Sequence, residues 1–114
     1  MLLTAEYQLD ASFNVWSRSD FSGISYSDGD AIERRIESII SNVSDLSVFS
    51  DELALHCKDW ASTYHLSSTR ANLLRPFQIT KDHDVLEIGA GCGALTRYLG
   101  ECGANVLALE GSRR

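Results

Sequence analysis

The run Val85-Leu86-Glu87-Ile88-Gly89-Ala90-Gly91-Cys92-Gly93 holds the densest chemistry in the chain. An apolar stretch that ends in Gly-x-Gly-x-Gly sets bare backbone against whatever lies beyond it. Gly89 and Gly91 can take backbone angles closed to other residues, and without a Cβ they let a ligand approach the main chain. Glu110 stands 21 residues after Gly89, at the end of the next apolar run, Val106-Leu107-Ala108-Leu109. That spacing suits a carboxylate accepting hydrogen bonds from two ribose hydroxyls, and a charged acceptor of this kind contributes about 1.5–3 kcal/mol. Glu87, two residues before Gly89, is a second carboxylate at the same strand tip.

The glycines alone do not choose the ligand. Gly89-Ala90-Gly91-Cys92-Gly93-Ala94 also satisfies the G-x-G-x-x-G/A pattern of dinucleotide sites, and both NAD and S-adenosylmethionine carry a ribose. Glu87 separates the two. A dinucleotide lays its pyrophosphate over such a loop, where a carboxylate about 4 Å away would repel it by about 4 kcal/mol at an effective dielectric of about 20. S-adenosylmethionine has no phosphate; its sulfonium and ammonium are both positive, and a carboxylate at Glu87 favours that end.

On these residues the chain resembles a known family. Val85 to Gly93, followed by Ala94-Leu95-Thr96 and closed by Val106-Leu107-Ala108-Leu109-Glu110, is similar to the opening motifs of class I S-adenosylmethionine-dependent methyltransferases, over residues 84–114. Trp60-Ala61-Ser62-Thr63-Tyr64-His65-Leu66-Ser67-Ser68-Thr69-Arg70-Ala71-Asn72-Leu73-Leu74-Arg75-Pro76-Phe77 resembles the segment before that motif in bacterial methyltransferases associated with glycosyltransferases. The resemblance implies an α/β, Rossmann-like class I fold of which this chain holds the first β-α-β unit. It also implies a methionine-side loop of Glu87, Gly89, Ala90, Gly91 and Gly93, with Glu110 on the ribose. Arg70 or Tyr64, before the motif, would meet the methionine carboxylate; the plainer alternative is a solvated arginine beside a packed tyrosine. A saccharide acceptor is implied only by the glycosyltransferase link. The adenine contacts, the acceptor pocket and the general base would lie on later strands, so the chain is expected to be incomplete and inactive alone.

The elements that must position these residues follow from periodicity. Phe13-Asn14-Val15-Trp16 alternates apolar and polar side chains and predicts a short strand; Ile24-Ser25-Tyr26 suggests another. Ile32, Ile36, Ile39, Ile40 and Val43 recur at helical spacing and predict a helix over 30–43, opened by a capping box of Asp30 and Glu33. A second helix is predicted over 51–60 with Leu53, Cys57 and Trp60 on one face, then an irregular stretch at 62–69 and a short helix at 70–75 ended by Pro76. Strands at 85–88 and 105–110 flank a helix that begins after Gly93 and ends before Gly103, a C′ glycine. The first of these strands, apolar on both faces, reads as buried in a parallel sheet. Residues 1–62 are thus expected to form an accessory or lid-forming segment, mostly helical, and 63–114 the start of the cofactor-binding domain.

Bulk properties narrow the classes. The 114 residues are 44% apolar and 23% charged, a globular composition. The net charge of −6 with scattered basic residues gives this segment no nucleic-acid footprint and no attraction to anionic membranes. Cys57, Cys92 and Cys102 have neither disulfide-framework nor zinc spacing, which suits reduced thiols in a cytoplasmic protein. The start has no signal-peptide pattern and no run reaches membrane-span length. His56-Cys57 reads as a helix-face pair, and His65 and His83 as surface histidines. Cys92 stands at a helix N-terminus, where a thiol's pKa can fall, but its backbone is expected to matter more than its sulfur. Two alternatives stay open: a non-enzymatic interaction module with a vestigial loop, self-associating through an exposed sheet edge, and an NAD-dependent oxidoreductase fragment.

Overall fold

The computed structural model describes residues 6–113. Among them it shows a mixed α/β arrangement with two separate two-stranded sheets, β1-β2 and β3-β4. Strands β1 (Tyr7–Asp10) and β2 (Val15–Arg18) form an antiparallel hairpin with Leu9 opposite Trp16. The strand expected at 13–16 is therefore displaced to 15–18. Its partner β1 was not foreseen, and Ile24-Ser25-Tyr26 is not a strand. The turn decides this register: Asp10 Oδ1 accepts from the Ser12 amide at 2.9 Å, and Asn14 takes a left-handed φ of 53°, which asparagine tolerates.

Helix α1 (Asp30–Asn42) lays the isoleucine stripe into the core, with Ile36 buried. Its start differs from the expected capping box. Gly29 is the N-cap, no side chain caps the helix, and the Gly29 carbonyl accepts from the Glu33 amide at 3.0 Å. Asp30 is the first helical residue, where its charge meets the positive end of the helix.

The helix expected over 51–60 is two helices, α2 (Asp51–Leu55) and α3 (Trp60–Leu66), and the second occupies much of the stretch expected to be irregular. Asp59 is the reason. Its backbone is extended at φ −144°, its carboxylate accepts from the Ser62 amide, and the Ser62 hydroxyl reaches back to the Asp59 amide. This reciprocal cap satisfies the free N–H groups of a new helix and outcompetes continuation of the old one. The core lies here, with Ile36, Leu53 and Leu66 at its centre and Ile32, Ile39, Ile40, Val43 and Cys57 packed around them.

Two 3₁₀ segments, Ser68–Leu73 and Arg75–Phe77, replace the expected helix at 70–75. Pro76 does not stop the chain. It sits at the start of the second segment, and Gln78, left-handed at φ 49°, ends it. Then comes β3 (Asp84–Ile88), α4 (Ala94–Glu101) and β4 (Asn105–Leu109), with β3 and β4 parallel and Glu87 opposite Ala108. Gly103, at φ 79°, closes α4 as expected.

The sheet differs from expectation in its burial. Val85 and Glu87 are half-buried, whereas Leu86 is 57% and Ile88 78% exposed. A single crossover helix packs on a two-stranded parallel sheet here, so one face is covered and the other is bare. Leu107 and Leu109 extend the bare apolar surface. The radius of gyration, 14.9 Å, exceeds the roughly 13 Å usual for a domain of about this length.

Candidate functional site

The glycine loop is built by the strand ends on either side of it. Gly89 and Ala90 both donate backbone hydrogen bonds to the Leu109 carbonyl, at 2.8 and 3.1 Å, and Gly93 donates back to Ala90 at 3.0 Å. The chain thus folds tightly over the tip of β4 before entering α4. Gly89, Gly91 and Gly93 have φ of 79°, 56° and 78°, the left-handed region that side chains avoid. A Cβ at Gly89 or Gly91 would meet nothing within 4 Å. Their requirement for glycine is therefore conformational, and the space before them is open.

Both expected carboxylates stand at this loop. Glu110 Oε2 accepts from the Gly91 amide at 2.7 Å, and Oε1 from the Ser112 amide at 2.7 Å. The Ser112 amide first, then those of Gly91 and Gly111, hold its carboxyl below the usual range, against some desolvation. It is an anion at neutral pH. A carboxylate offers about four acceptor positions, so it can keep both amides and still take hydroxyl groups. Glu87 is oriented from the other side: Thr96, one turn into α4, donates to its Oε2 at 2.6 Å.

Arg70 is placed elsewhere. Its guanidinium lies 4.0 Å over the Tyr64 ring, and Tyr64 stacks on Trp60 at 5.1 Å between centroids. These residues, with Asp59, Thr63 and Thr69, line a hollow of about 310 Å³. No residue of the glycine loop lines it. The 3₁₀ segment that carries Arg70 does pack against α4. Buried Nε of Arg70 has no hydrogen-bond partner. The structure thus gathers Glu87, Gly89, Ala90, Gly91, Gly93 and Glu110 about one loop and sets Arg70 in an aromatic hollow.

The remaining polar residues divide. His83 caps its own turn, accepting from the Thr80 amide at 3.1 Å, and His56 is exposed. Cys57 is half-buried and bonded to the Leu53 carbonyl. Among the described residues no cluster of His, Cys, Asp or Glu could hold a metal ion. His65 is not the surface histidine the sequence suggests. Its Nε2 lies 2.7 Å from Asp28 Oδ2, with only 12% and 20% of the two side chains exposed. A hydrogen bond to the Cys92 thiol, with the neighbouring Asp28, pushes its pKa up to about 9 against partial burial. Thirty-seven residues separate Asp28 from His65, and no local pattern announces such a pair.

The segment before α1 also reaches the loop's far side. Ile24 donates to the Gly111 carbonyl at 2.9 Å, and its side chain packs against Gly111, where an added Cβ would meet Ile24 Cδ1 at 2.7 Å and push that side chain aside. Arg113 donates to the carbonyls of Arg18 and Phe21. Residues 18–28 are therefore tied beside Glu110 at one end and to His65 at the other. Among the described residues no helix is long and apolar enough to cross a membrane. Comparison with protein-family models, curated proteins and solved structures finds no match to this chain.

Proposed function

We propose that the chain binds S-adenosylmethionine as part of a class I methyltransferase, through a Rossmann-like β-α-β unit, with an unidentified acceptor. One observation carries this reading. A parallel β-α-β unit turns through left-handed glycines with a carboxylate on each side, Glu87 held by Thr96 and Glu110 held by the Gly91 and Ser112 amides. Glu110 suits ribose hydroxyls. Glu87 suits a cationic ligand and disfavours the pyrophosphate of NAD. The open space before Gly89 and Gly91 accommodates a ligand against the main chain.

S-adenosylmethionine would supply an activated methyl group, and the chain's residues would bind and orient it, since transfer by displacement depends on alignment. Residues 18–28, tied across the strand tips, suit the role of a lid. No residue of the chain is assigned as general base. Titration calorimetry with S-adenosylmethionine, S-adenosylhomocysteine and NAD tests the reading. Heat is expected from the first two and none from NAD; binding of NAD alone would overturn it.

A second reading is an interaction module. It draws on the bare sheet face of Leu86, Ile88, Leu107 and Leu109, an apolar surface that invites self-association. Sedimentation velocity separates the two: a monomer across the accessible concentration range would remove its support.

A further inference from the structure

We propose that the hollow between α3 and the first 3₁₀ segment is a binding site for a small aromatic carboxylate, with Arg70 taking the carboxylate and Trp60 the ring. The site lies outside the glycine loop and does not depend on the methyltransferase reading. Its lining residues are Asp59, Trp60, Thr63, Tyr64, Thr69 and Arg70. Its volume of about 310 Å³ falls at the small end of the range for ligand pockets. Both walls are seated on buried residues. Ala61, Ser62 and Leu66 bury the inner face of α3, and buried Ala71 anchors the segment that carries Thr69 and Arg70.

Spacing builds the aromatic wall. Trp60 and Tyr64 stand four residues apart on α3, so they share one helix face, and their rings stack at 5.1 Å with 23° between planes. Trp60 remains 67% exposed, which leaves ring surface for a ligand. Arg70 supplies the charge. Its Cζ lies 4.0 Å over the Tyr64 ring. Among the described residues its side chain has no hydrogen bond or ion pair, and its Nε is shielded from solvent without a partner. Asp59, the carboxylate among the lining residues, is already matched: it lies 2.7 Å from Arg35 and accepts from the Ser62 amide. The positive charge of Arg70 is therefore left over.

These features select the class of ligand. A guanidinium presents a planar fork of N–H donors that fits a carboxylate with two parallel hydrogen bonds. An aromatic ring set on Trp60 is favoured beyond the apolar area it covers. A neutral aromatic would leave Arg70 unmatched, an aliphatic carboxylate would forgo the ring contact, and inorganic phosphate has no ring at all. The Thr69 hydroxyl is held by Ser67 at 2.7 Å; that of Thr63, exposed on the α3 wall, is placed to meet a polar substituent on the ring.

The test titrates the full chain by calorimetry at neutral pH with benzoate, benzamide, cyclohexanecarboxylate and inorganic phosphate. Benzoate is expected to bind saturably. Benzamide, its uncharged analogue, should bind about tenfold to a hundredfold more weakly, and cyclohexanecarboxylate about twofold to tenfold more weakly. Arg70→Gln should bring benzoate down to the benzamide affinity, and Arg70→Lys, which keeps the charge without the fork, should retain part of it. Trp60→Ala should remove the preference for benzoate over cyclohexanecarboxylate. Should Arg70→Gln fail to fold, the comparison of benzoate with benzamide on the unaltered chain still decides. Saturating S-adenosylhomocysteine should leave the benzoate titration unchanged. No saturable benzoate binding, benzamide binding as tightly as benzoate, a folded Arg70→Gln with unaltered affinity, or phosphate displacing benzoate at equal concentration would overturn the proposal. Displacement by S-adenosylhomocysteine would overturn it as well, by making Arg70 part of the cofactor site, and would leave the methyltransferase reading standing.

Discussion

The helical region, α1 to α3, and the β3-α4-β4 unit solve opposite problems. The first buries Ile36, Leu53 and Leu66 almost completely and carries little chemistry in its centre. The second gathers two carboxylates and three left-handed glycines, yet leaves Leu86 and Ile88 more than half exposed. Stability and candidate chemistry are therefore carried by different parts of the chain. The Arg97 hydrogen bond to the Leu66 carbonyl and the ties of residues 18–28 join them. The lesson is that loop geometry can be set by local hydrogen bonds, here Gly89 and Ala90 on the Leu109 carbonyl, without a deep core beneath it.

The contrast can be tested in order of expected effect. Leu53→Ala should cost the most, about 2–5 kcal/mol of folding stability, read by thermal or urea denaturation. Ligand contacts at the loop should change little in the variant that remains folded. A smaller loss from Leu53→Ala than from a β3 substitution would reverse the assignment of the core. Next, Glu110→Ala should leave the helical core intact and weaken S-adenosylhomocysteine binding about tenfold to a hundredfold, since a charged acceptor contributes about 1.5–3 kcal/mol. Unchanged affinity in calorimetry would remove Glu110 from the ribose role.

A third effect lies at the junction between the regions. The His65 pKa is raised from 6.5 to about 9, so the folded state binds the proton more tightly than the unfolded one. Its contribution to stability is fully present below about pH 6.5 and is lost as pH rises through about 9. The melting temperature should fall over that window, and Asp28→Asn should flatten the fall. The smallest effect belongs to the bare sheet face. Ile88→Ser, at a side chain 78% exposed, should change stability by no more than about 0.5 kcal/mol. If that face drives association, the same variant should shift the sedimentation profile toward monomer.

Much of the architecture was legible from local pattern. The isoleucine stripe placed α1, and the apolar runs around Gly89–Gly93 placed β3, α4 and β4 nearly to the residue. Each has a periodicity that sums over many residues, and so outweighs single exceptions. The errors fell where one or two hydrogen bonds decide. Asp59 and Ser62 split a helix that composition would continue, and Gln78 rather than Pro76 ended the 3₁₀ turns. The Asp-x-x-Ser spacing of that cap was present in the chain but competed with a helical apolar pattern running through it.

The sequence by itself determined the β-loop-α-β unit, its glycines and the two carboxylates, because strand, turn and helix preferences act over neighbouring residues. Only tertiary structure decided that Arg70 lies on Tyr64 in an aromatic hollow, that Glu110 grips the Gly91 and Ser112 amides, and that His65 pairs with Asp28. Those contacts span up to 37 residues. They exist because helices packed for their apolar faces carry polar side chains to one place, and no local propensity encodes where that place will be.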